Sequence, residues 1–366
     1  MNVGGPAVIV ADLIRGLDSE KFHQTLITGY CDENEADYLE TVATDITARR
    51  IAGLGRSISP IADLKAFFAL VKQIKNEKPD VIHTHTAKAG VLGRLAAMVA
   101  RSKAMRVHTF HGHLLHGYFS GWKIKLVVAI EKLLAMHTDR LIAVGNQVKD
   151  DLLTVGIGTP EKFTTFFPGL PAPSAPSRAD ARLQLGLNPQ EIYCTFVGRL
   201  TQIKRPDRLL DIAKASMDRG LKIHFLVAGE GELFTASRQR AEAEKLPVTF
   251  LGWRHDIDRI FAASDIAILT SDNEGIPLTL IQAAQAGLPI VAPQVGSIAD
   301  IVLDGQTGYL TSPHPGAMAS ALSALVMDSE LREKLGNAGK IHADEYFSLS
   351  KSLRDHADLY EFSQHR

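Results

Sequence analysis

Hydrophobic and polar positions alternate along the first half of the chain between short apolar runs and longer amphipathic stretches. The apolar, β-rich runs predict strands at 24–29, 80–84, 105–110 and 139–144. Between them, apolar residues at helical spacing predict helices at 7–17, 60–77, 86–101 and 122–137. Strands that alternate with helices imply crossover connections, and therefore a parallel sheet covered on both faces.

The alternation stops at 166–187, where four prolines fall within eleven residues, and then resumes. Because that proline density excludes a helix or a central strand, the segment is predicted to be a linker. Beyond it, a second parallel sheet is predicted from apolar runs at 191–197, 222–228, 247–251, 265–270 and 288–292. Helical patterns follow at 329–343 and 346–364.

Two α/β domains of the Rossmann-like type are therefore expected, and a length of 366 residues suits two cores. The predicted boundaries are 1–168 for the first domain, 169–187 for the linker, 188–345 for the second domain and 346–366 for a C-terminal helix. This last helix is expected to return to the first domain. Ligands are expected at the carboxyl ends of the strands, in a cleft that both sheets face.

Charge is distributed unevenly, although the net charge is only -1. Residues 46–149 hold 17 Lys/Arg against 5 Asp/Glu, which suits an anionic partner or a membrane surface, or else reflects solvated basic helix faces. The small net charge argues against a nucleic-acid partner. Cys31 and Cys194 are too few for a disulfide framework, and no signal peptide or membrane span is visible, so a cytoplasmic location is expected.

The segment 272–292, DNEGIPLTLIQAAQAGLPIVA, carries the clearest chemistry. Pro277 suits the first position of a helix, where the N–H groups of Leu278 and Thr279 are free to bind phosphate. Glu274 precedes that helix and can accept hydrogen bonds from hydroxyl groups, while Gln282 lies further along it. This layout suits a ligand that has hydroxyl groups at both ends and an anionic centre, and a sugar nucleotide is such a ligand.

Two cations, Arg199 and Lys204, follow the strand predicted at 191–197. At the mouth of the same sheet they can neutralise a diphosphate, most strongly while its charge grows during bond cleavage. The alternative is that both are solvated surface cations.

These segments resemble the family-4 retaining glycosyltransferases of bacterial polysaccharide synthesis, which have the GT-B fold. The similarity covers VGRLTQIKRPDRLL, AGEGEL, FLGWRHDIDRIFAASDI, SDNEGIPLTLIQAAQAGLPIVA and IVLDGQTGYL, with THTAKAGVLGRLAA and VHTFHGH in the first half. It implies that the second domain binds the donor, with Arg199 and Lys204 on the diphosphate, Glu274 and Gly275 at the sugar, and Trp253 and Arg254 beside the base. It also implies that His111 reaches the reacting sugar and that Gly4 and Gly5 let the backbone approach the donor.

The chain departs from the family at three places. Gln282 stands where relatives usually have a glutamate that grips the ribose hydroxyls, and losing that charge assistance is expected to cost about 1 kcal/mol, roughly fivefold in affinity. Gly296-Ser297 replaces paired glycines. Relatives also place a strand before the first glycine turn, so we expect Met1 to be an internal methionine or the sequence to be truncated.

Three competing motifs are interpreted as structural. Six histidines lie close together in the sequence of the first half: His83, His85, His108, His111, His113 and His116. A metal site among them is not favoured, because alternate strand residues face opposite ways and no cysteine or carboxylate cluster accompanies the histidines. Asp256 and Asp258 are expected to cap a helix rather than bind metal. Gly229-x-Gly231 lacks a third glycine, so neither a dinucleotide nor another cofactor is expected.

The sequence thus predicts a metal-independent transferase that moves a sugar from a UDP-sugar to a saccharide or polyprenyl-linked acceptor with retention. The segment 119–137 is expected either to pack on the first sheet or to dock on the inner face of the cell membrane. A GT-B nucleotide-sugar epimerase and a non-catalytic nucleotide-sugar binder are the alternatives.

Overall fold

The computed structural model describes residues 1–32, 35–112 and 122–362. The chain divides into two compact units. One comprises Met1–Gly169 with Leu349–Arg366, and the other comprises Leu170–Ser348.

The first unit contains two parallel sheets, and its strands alternate with helices along the chain. Its elements are α1 Gly5–Gly16, β1 Leu26–Thr28, α2 Tyr38–Thr41, β2 Ala48–Arg50, α3 Pro60–Glu77, β3 Val81–His85, α4 Ala87–Val99, β4 Met105–Phe110, α5 Trp122–Met136, β5 Arg140–Ala143, α6 Asn146–Thr154 and β6 Phe163–Thr165. Strands β3, β4, β5 and β6 form a sheet in that order, and β1 pairs with β2. Buried Val107, Leu141 and Ile142 lie in the four-stranded sheet, as expected for parallel strands that are covered on both faces.

The second unit is a six-stranded parallel sheet in the order β12-β11-β10-β7-β8-β9. Its elements are α7 Arg178–Leu185, β7 Tyr193–Val197, α8 Pro206–Asp218, β8 His224–Ala228, α9 Phe234–Ala243, β9 Val248–Gly252, α10 Ile257–Ala263, β10 Ile266–Ile268, α11 Leu278–Gln285, β11 Ile290–Pro293, β12 Gly308–Thr311, α12 Pro315–Met327 and α13 Ser329–Tyr346. The order reverses direction between β10 and β7, and in open α/β sheets ligands bind beside such a point.

The last helix, α14 Leu349–Glu361, belongs to the first unit. Leu353 packs so closely on Gly16 of α1 that a Cβ added there would lie 2.4 Å from its Cδ1. The expectation that the C-terminal helix returns to the first part of the chain is therefore confirmed.

The expected alternation of strands and helices is confirmed, with one correction in the proline-rich segment. We expected no helix within 166–187, yet α7 occupies Arg178–Leu185. The prolines end at Pro176, and Ser177 then caps the helix by accepting a hydrogen bond from the Asp180 N–H at 3.2 Å. Proline density therefore excluded a helix only up to its last proline. The short elements α2, β2, α6, β6 and β12 were not predicted, and neither was the longer helix α12.

Candidate active site

The loops that follow β7 and β8 are held together by backbone contacts that require glycine. Gly229 has φ 138°, and a Cβ on it would lie 2.0 Å from the Gly198 carbonyl oxygen. The Gly198 N–H donates to the Ala228 carbonyl at 3.0 Å, and the Leu200 N–H donates to the Glu230 carbonyl at 3.0 Å. The first glycine of AGEGEL, Gly229, therefore serves this crossing of two loops, since only glycine allows so close an approach.

Lys204 is fixed where the loop after β7 meets the loop after β10. It ends a short 3₁₀ helix, Gln202–Lys204, and its carbonyl accepts a hydrogen bond from Thr270 Oγ1 at 2.8 Å. The Asp272 N–H donates to the Ile203 carbonyl at 2.9 Å, and the buried Arg208 guanidinium donates to the Thr270 carbonyl at 2.6 Å. Two segments about seventy residues apart in sequence are thus joined at the carboxyl end of the sheet.

At this junction the structure brings Lys204 and Glu274 into contact. Lys204 Nζ lies 2.5 Å from Glu274 Oε1, which also accepts a hydrogen bond from Ser271 Oγ at 2.6 Å. The two charged side chains retain only 21% and 11% of their exposure. An ammonium has three donors and a carboxylate has two oxygens, so both groups keep capacity to bind a ligand.

Helix α11 begins directly after this pair, at Leu278. We expected Pro277 at the first helical position, but it is the residue before the helix and its carbonyl accepts from the Leu280 and Ile281 N–H groups. The helix therefore starts one residue later than predicted, because Pro277 has an extended ψ of 107°. The N–H groups of Leu278 and Thr279 still precede the first intrahelical bonds, which is the geometry that binds anions.

The other residues predicted for the donor lie around this junction or on neighbouring loops. Arg199 directly follows β7 and Gly198, and its side chain is exposed. Gln282 is half-buried on α11, and Gly275 lies in the loop before it. Trp253 follows β9 with 53% of its surface exposed and its ring edge against His255. Arg254 already pairs with Asp256 at 2.7 Å.

The prediction that Asp256 and Asp258 cap a helix is wrong in detail. Asp256 holds the position before α10 but makes no side-chain capping bond. Its carboxylate pairs with Arg254 and with Arg259 at 3.0 Å instead, and this holds its pKa below the usual range. Asp258 Oδ2 accepts from the Ser174 N–H at 3.0 Å.

Gly4 and Gly5 belong to the first unit, at the start of α1. Gly4 has an extended backbone with φ 163°, and among the described residues, its two chain neighbours apart, the atom nearest to a Cβ built on it is Pro6 Cδ at 4.0 Å. The fold of this unit therefore does not require glycine at position 4.

His111 also lies in the first unit, one residue beyond β4. Its Nε2 lies 2.9 Å from His85 Nδ1, and its buried Nδ1 has no hydrogen-bond partner among the described residues. Burial, together with nearby His356, lowers the pKa of His111 to about 4. The ring is therefore neutral near pH 7, so one of its nitrogens donates a hydrogen bond and the other accepts one.

The histidines of the first unit divide between the two faces of its sheet. His83 and His85 alternate with Thr84 along β3, and Thr84 Oγ1 meets His108 Nδ1 on the opposite face at 2.8 Å. Residues 113–121, which include His113 and His116, lie outside the described residues. In the part of the chain that is described, no three His, Cys, Asp or Glu side chains are grouped to hold a metal ion.

Sequence reasoning missed the residues that hold the candidate site residues of each unit in place. Ser271 was only a loop residue, Arg208 was one basic residue in a helix, and His85 was one histidine among six. Ser271 could have been found from its position directly after a predicted strand. No local sequence pattern indicated that Arg208 would be buried against Thr270.

The comparisons with known proteins agree with this architecture. The family description "Glycosyl transferases group 1" matches residues 177–342, and "Glycosyl transferase 4-like domain" matches residues 4–169. The chain is 33% identical over 370 residues to the UDP-Gal:alpha-D-GlcNAc-diphosphoundecaprenol alpha-1,3-galactosyltransferase of Escherichia coli, covering 94% of this chain and 90% of the relative. It is also 23% identical to the capsular polysaccharide biosynthesis glycosyltransferase CapM of Staphylococcus aureus, covering 86% and 84%.

Among solved structures, HepE of Anabaena in complex with UDP and glucose has a TM-score of 0.81 at 19% identity, covering 98% of this chain and 96% of that one. The lipopolysaccharide outer core galactosyltransferase WaaB has a TM-score of 0.74 at 16% identity, covering 99% and 97%. The fold is thus GT-B, with a mixed α/β chain and parallel sheets.

Together these matches define a glycosyltransferase. The chain belongs to the family-4 glycosyltransferases of GT-B fold, with bacterial polysaccharide-related relatives, and is a hexosyltransferase-type enzyme.

Proposed function

We propose that the protein transfers a sugar from a UDP-sugar to a lipid-linked saccharide, with retention at the anomeric carbon and without a metal ion. The observation that carries the proposal is the contact of Lys204 with Glu274 directly before the N-terminus of α11. A relative that is 33% identical uses UDP-Gal and a diphosphoundecaprenol-linked acceptor by its name, and HepE was solved with UDP.

In this proposal Lys204, Arg199 and the N–H groups of Leu278 and Thr279 offset the charge of the leaving diphosphate. One Lys204 proton is engaged by Glu274, and the remaining two are directed to phosphate oxygens. Glu274 keeps Oε2 for a sugar hydroxyl, since its contacts with Lys204 and Ser271 both use Oε1. Trp253 and Arg254 border the base, and Gln282 binds the ribose hydroxyls.

On the first unit, we propose that His111 and the backbone at Gly4 and Gly5 contact the donor sugar. The open space around Gly4 supports this role, because the glycine is not needed for packing. Neutral His111 would orient a hydroxyl rather than supply positive charge. Retention follows the family resemblance, and the anomeric configuration of the product, read by NMR, tests it.

The direct experiment is Lys204→Ala with the cognate UDP-sugar, identified by screening donors with a polyprenyl-diphosphate-linked acceptor. We expect turnover to fall at least about tenfold, because a charge-assisted bond to the leaving group stabilises the transition state by more than about 1.4 kcal/mol. Lys214→Ala is the matched control, since Lys214 is exposed on α8 and pairs with Glu244 at 3.6 Å.

A smaller loss in Lys204→Ala would contradict the diphosphate role. UDP binding without UDP release for any donor and acceptor would favour a non-catalytic binder, and an isomerised nucleotide sugar would favour an epimerase.

We also propose that the first unit contacts an anionic membrane at the inner face of the cell membrane through the described part of 119–137. Leu126, Leu133 and Met136 on α5 are 50% or more exposed, and exposed Lys123, Lys125 and Lys132 accompany them. The single acid of α5, Glu131, is buried against Arg94 and does not offset these cations. Residues 119–121 and the Trp122 side chain lie outside the described residues. No helix in the described part of the chain is long and apolar enough to cross a membrane.

A further inference from the structure

The imidazole rings on one face of the β3–β4 sheet differ in what they contact. His83 uses both of its ring nitrogens within the fold, with Nδ1 2.5 Å from Tyr360 Oη and Nε2 2.7 Å from Thr109 Oγ1. His85 directs its Nδ1 to His111 Nε2 at 2.9 Å, and the two ring centroids are 5.1 Å apart. His83 therefore serves the packing of this unit, whereas His85 serves His111.

This arrangement follows from the strand register. His85 pairs with Thr109 across β3 and β4, so position 111, two residues beyond Thr109, faces the same side as His85. The ring of His85 lies against that of His83, with centroids 4.2 Å apart, and is thereby held in one orientation. His85 thus reaches His111 from a strand rather than from a loop, which favours a fixed geometry.

The contact allows only one proton between the two nitrogens. Burial lowers the pKa of both rings, and the proximity of His111 adds to the effect on His85, so both are neutral near pH 7. One ring must then donate and the other must accept, and in either arrangement Nε2 of His111 is engaged. The nitrogen of His111 left to bind a ligand is Nδ1, which is buried and has no partner among the described residues.

An unsatisfied buried nitrogen costs stability unless a ligand or another group completes it. We propose that His85 is a positioning residue for His111: it engages Nε2, fixes the ring, and presents Nδ1 of His111 to a hydroxyl of the bound donor sugar. This inference rests on the proposed transferase function and adds a residue to it.

Three substitutions of His85 separate positioning from packing. An asparagine amide lies near the position of histidine Nδ1 and can donate or accept, whereas a glutamine amide lies near the position of Nε2, and phenylalanine retains only the ring. We expect His85→Phe and His85→Gln to lower kcat about tenfold, with the KM for the donor changed by less than about threefold. His85→Asn should keep kcat within about threefold of the unaltered enzyme.

His83→Phe is the matched control, because it removes the two imidazole hydrogen bonds of a residue on the same strand and face, keeps an aromatic ring against His85, and leaves the hydrogen bond between His85 and His111 in place. Its kcat should be unchanged, whatever happens to its melting temperature. The proposal is overturned if His85→Phe and His85→Gln keep full kcat, or if His85→Asn is as slow as His85→Phe. If the phenylalanine variant does not fold, the comparison of asparagine with glutamine decides.

A second measurement does not depend on turnover. In protein labelled with ¹⁵N-histidine, the His111 nitrogens are assigned with His111→Gln and followed in the ligand-free state. The Nε2 resonance should move in His85→Phe and stay in place in His83→Phe, and an unmoved resonance in His85→Phe overturns the pairing. Failure of the unaltered enzyme to transfer any sugar would overturn the proposed function and the role at the sugar, while the NMR result alone decides whether the rings are paired.

Discussion

At the scale of single residues, the proposed donor site combines an ion pair with a neutral amide. Lys204 and Glu274 are 2.5 Å apart and mostly buried, so each provides the counter-charge for the other when no ligand is bound. Gln282 is half-buried on α11 and replaces the glutamate expected from the resemblance. The proposed site thus has the residues expected at the diphosphate, and it has one negative charge fewer than the resemblance implies at the end proposed to bind the ribose.

Gln282→Glu should therefore strengthen nucleotide binding. A carboxylate accepts charge-assisted hydrogen bonds from both ribose hydroxyls, so the Kd for UDP is expected to fall about fivefold. Isothermal calorimetry measures this. Gln239→Glu, at an exposed position on α9 in the same unit, adds the same charge away from α11 and should leave the Kd unchanged. Equal affinities in the Gln282→Glu and unaltered proteins would remove Gln282 from the ribose site.

At the scale of elements, α4 and α5 are joined by a buried ion pair that the sequence did not reveal. Arg94 Nη2 donates to both carboxylate oxygens of Glu131 at 2.8 and 2.7 Å, and both side chains are 2% exposed. Arg94 was one of many cations in a basic region, and Glu131 one of its few acids. Periodicity placed both helices, but it could not indicate which charges would face each other.

Removing one partner of this pair should cost far more than removing an exposed one. Glu131→Gln leaves the Arg94 guanidinium buried without its counter-charge, so the free energy of unfolding should fall by about 3 to 5 kcal/mol in urea titrations. The exposed pair Arg238–Glu242 provides the control, and Glu242→Gln should cost less than about 1 kcal/mol. The double variant Arg94→Met/Glu131→Leu should recover most of the loss. Similar losses in Glu131→Gln and Glu242→Gln would show that burial of the pair does not govern its contribution.

At the scale of the whole molecule, positive charge is concentrated in 46–149, and the remainder of the chain is acidic. The outer side of α5 adds exposed apolar residues to this region. Both features suit an anionic lipid surface, where cations and apolar side chains act together.

The intact protein should accordingly float with phosphatidylglycerol-containing vesicles and not with phosphatidylcholine vesicles. Added salt should weaken binding, because exposed charges are screened beyond about 10 Å at 0.1 M ionic strength. Replacing Leu126, Ile130 and Leu133 by glutamine should reduce flotation several-fold, as roughly 0.8 kcal/mol is lost for each CH₂ no longer buried in lipid. Ile341→Gln, an exposed residue of α13, is the control. Undiminished flotation of the triple variant would place the contact elsewhere.

The sequence by itself determined the parallel α/β architecture and the residue types at the strand ends. The spacing of apolar residues, and the effects of proline and glycine, act on neighbouring residues. The alternation of strands and helices was therefore predictable, apart from α7, α12 and the shortest elements. Glu274 and the helix α11 that follows it are close in sequence, so the position of Glu274 before a helix was also predictable. The start of that helix was predicted to within one residue.

Only the tertiary structure decided which distant residues meet. Lys204 and Glu274 are 70 positions apart, Arg94 and Glu131 are 37 apart, and His85 and His111 are 26 apart. Strand order, register and helix packing set these contacts, and no local pattern encodes them. The physical reason is that crossover connections bring the ends of parallel strands to one edge of a sheet, whatever the length of chain between them.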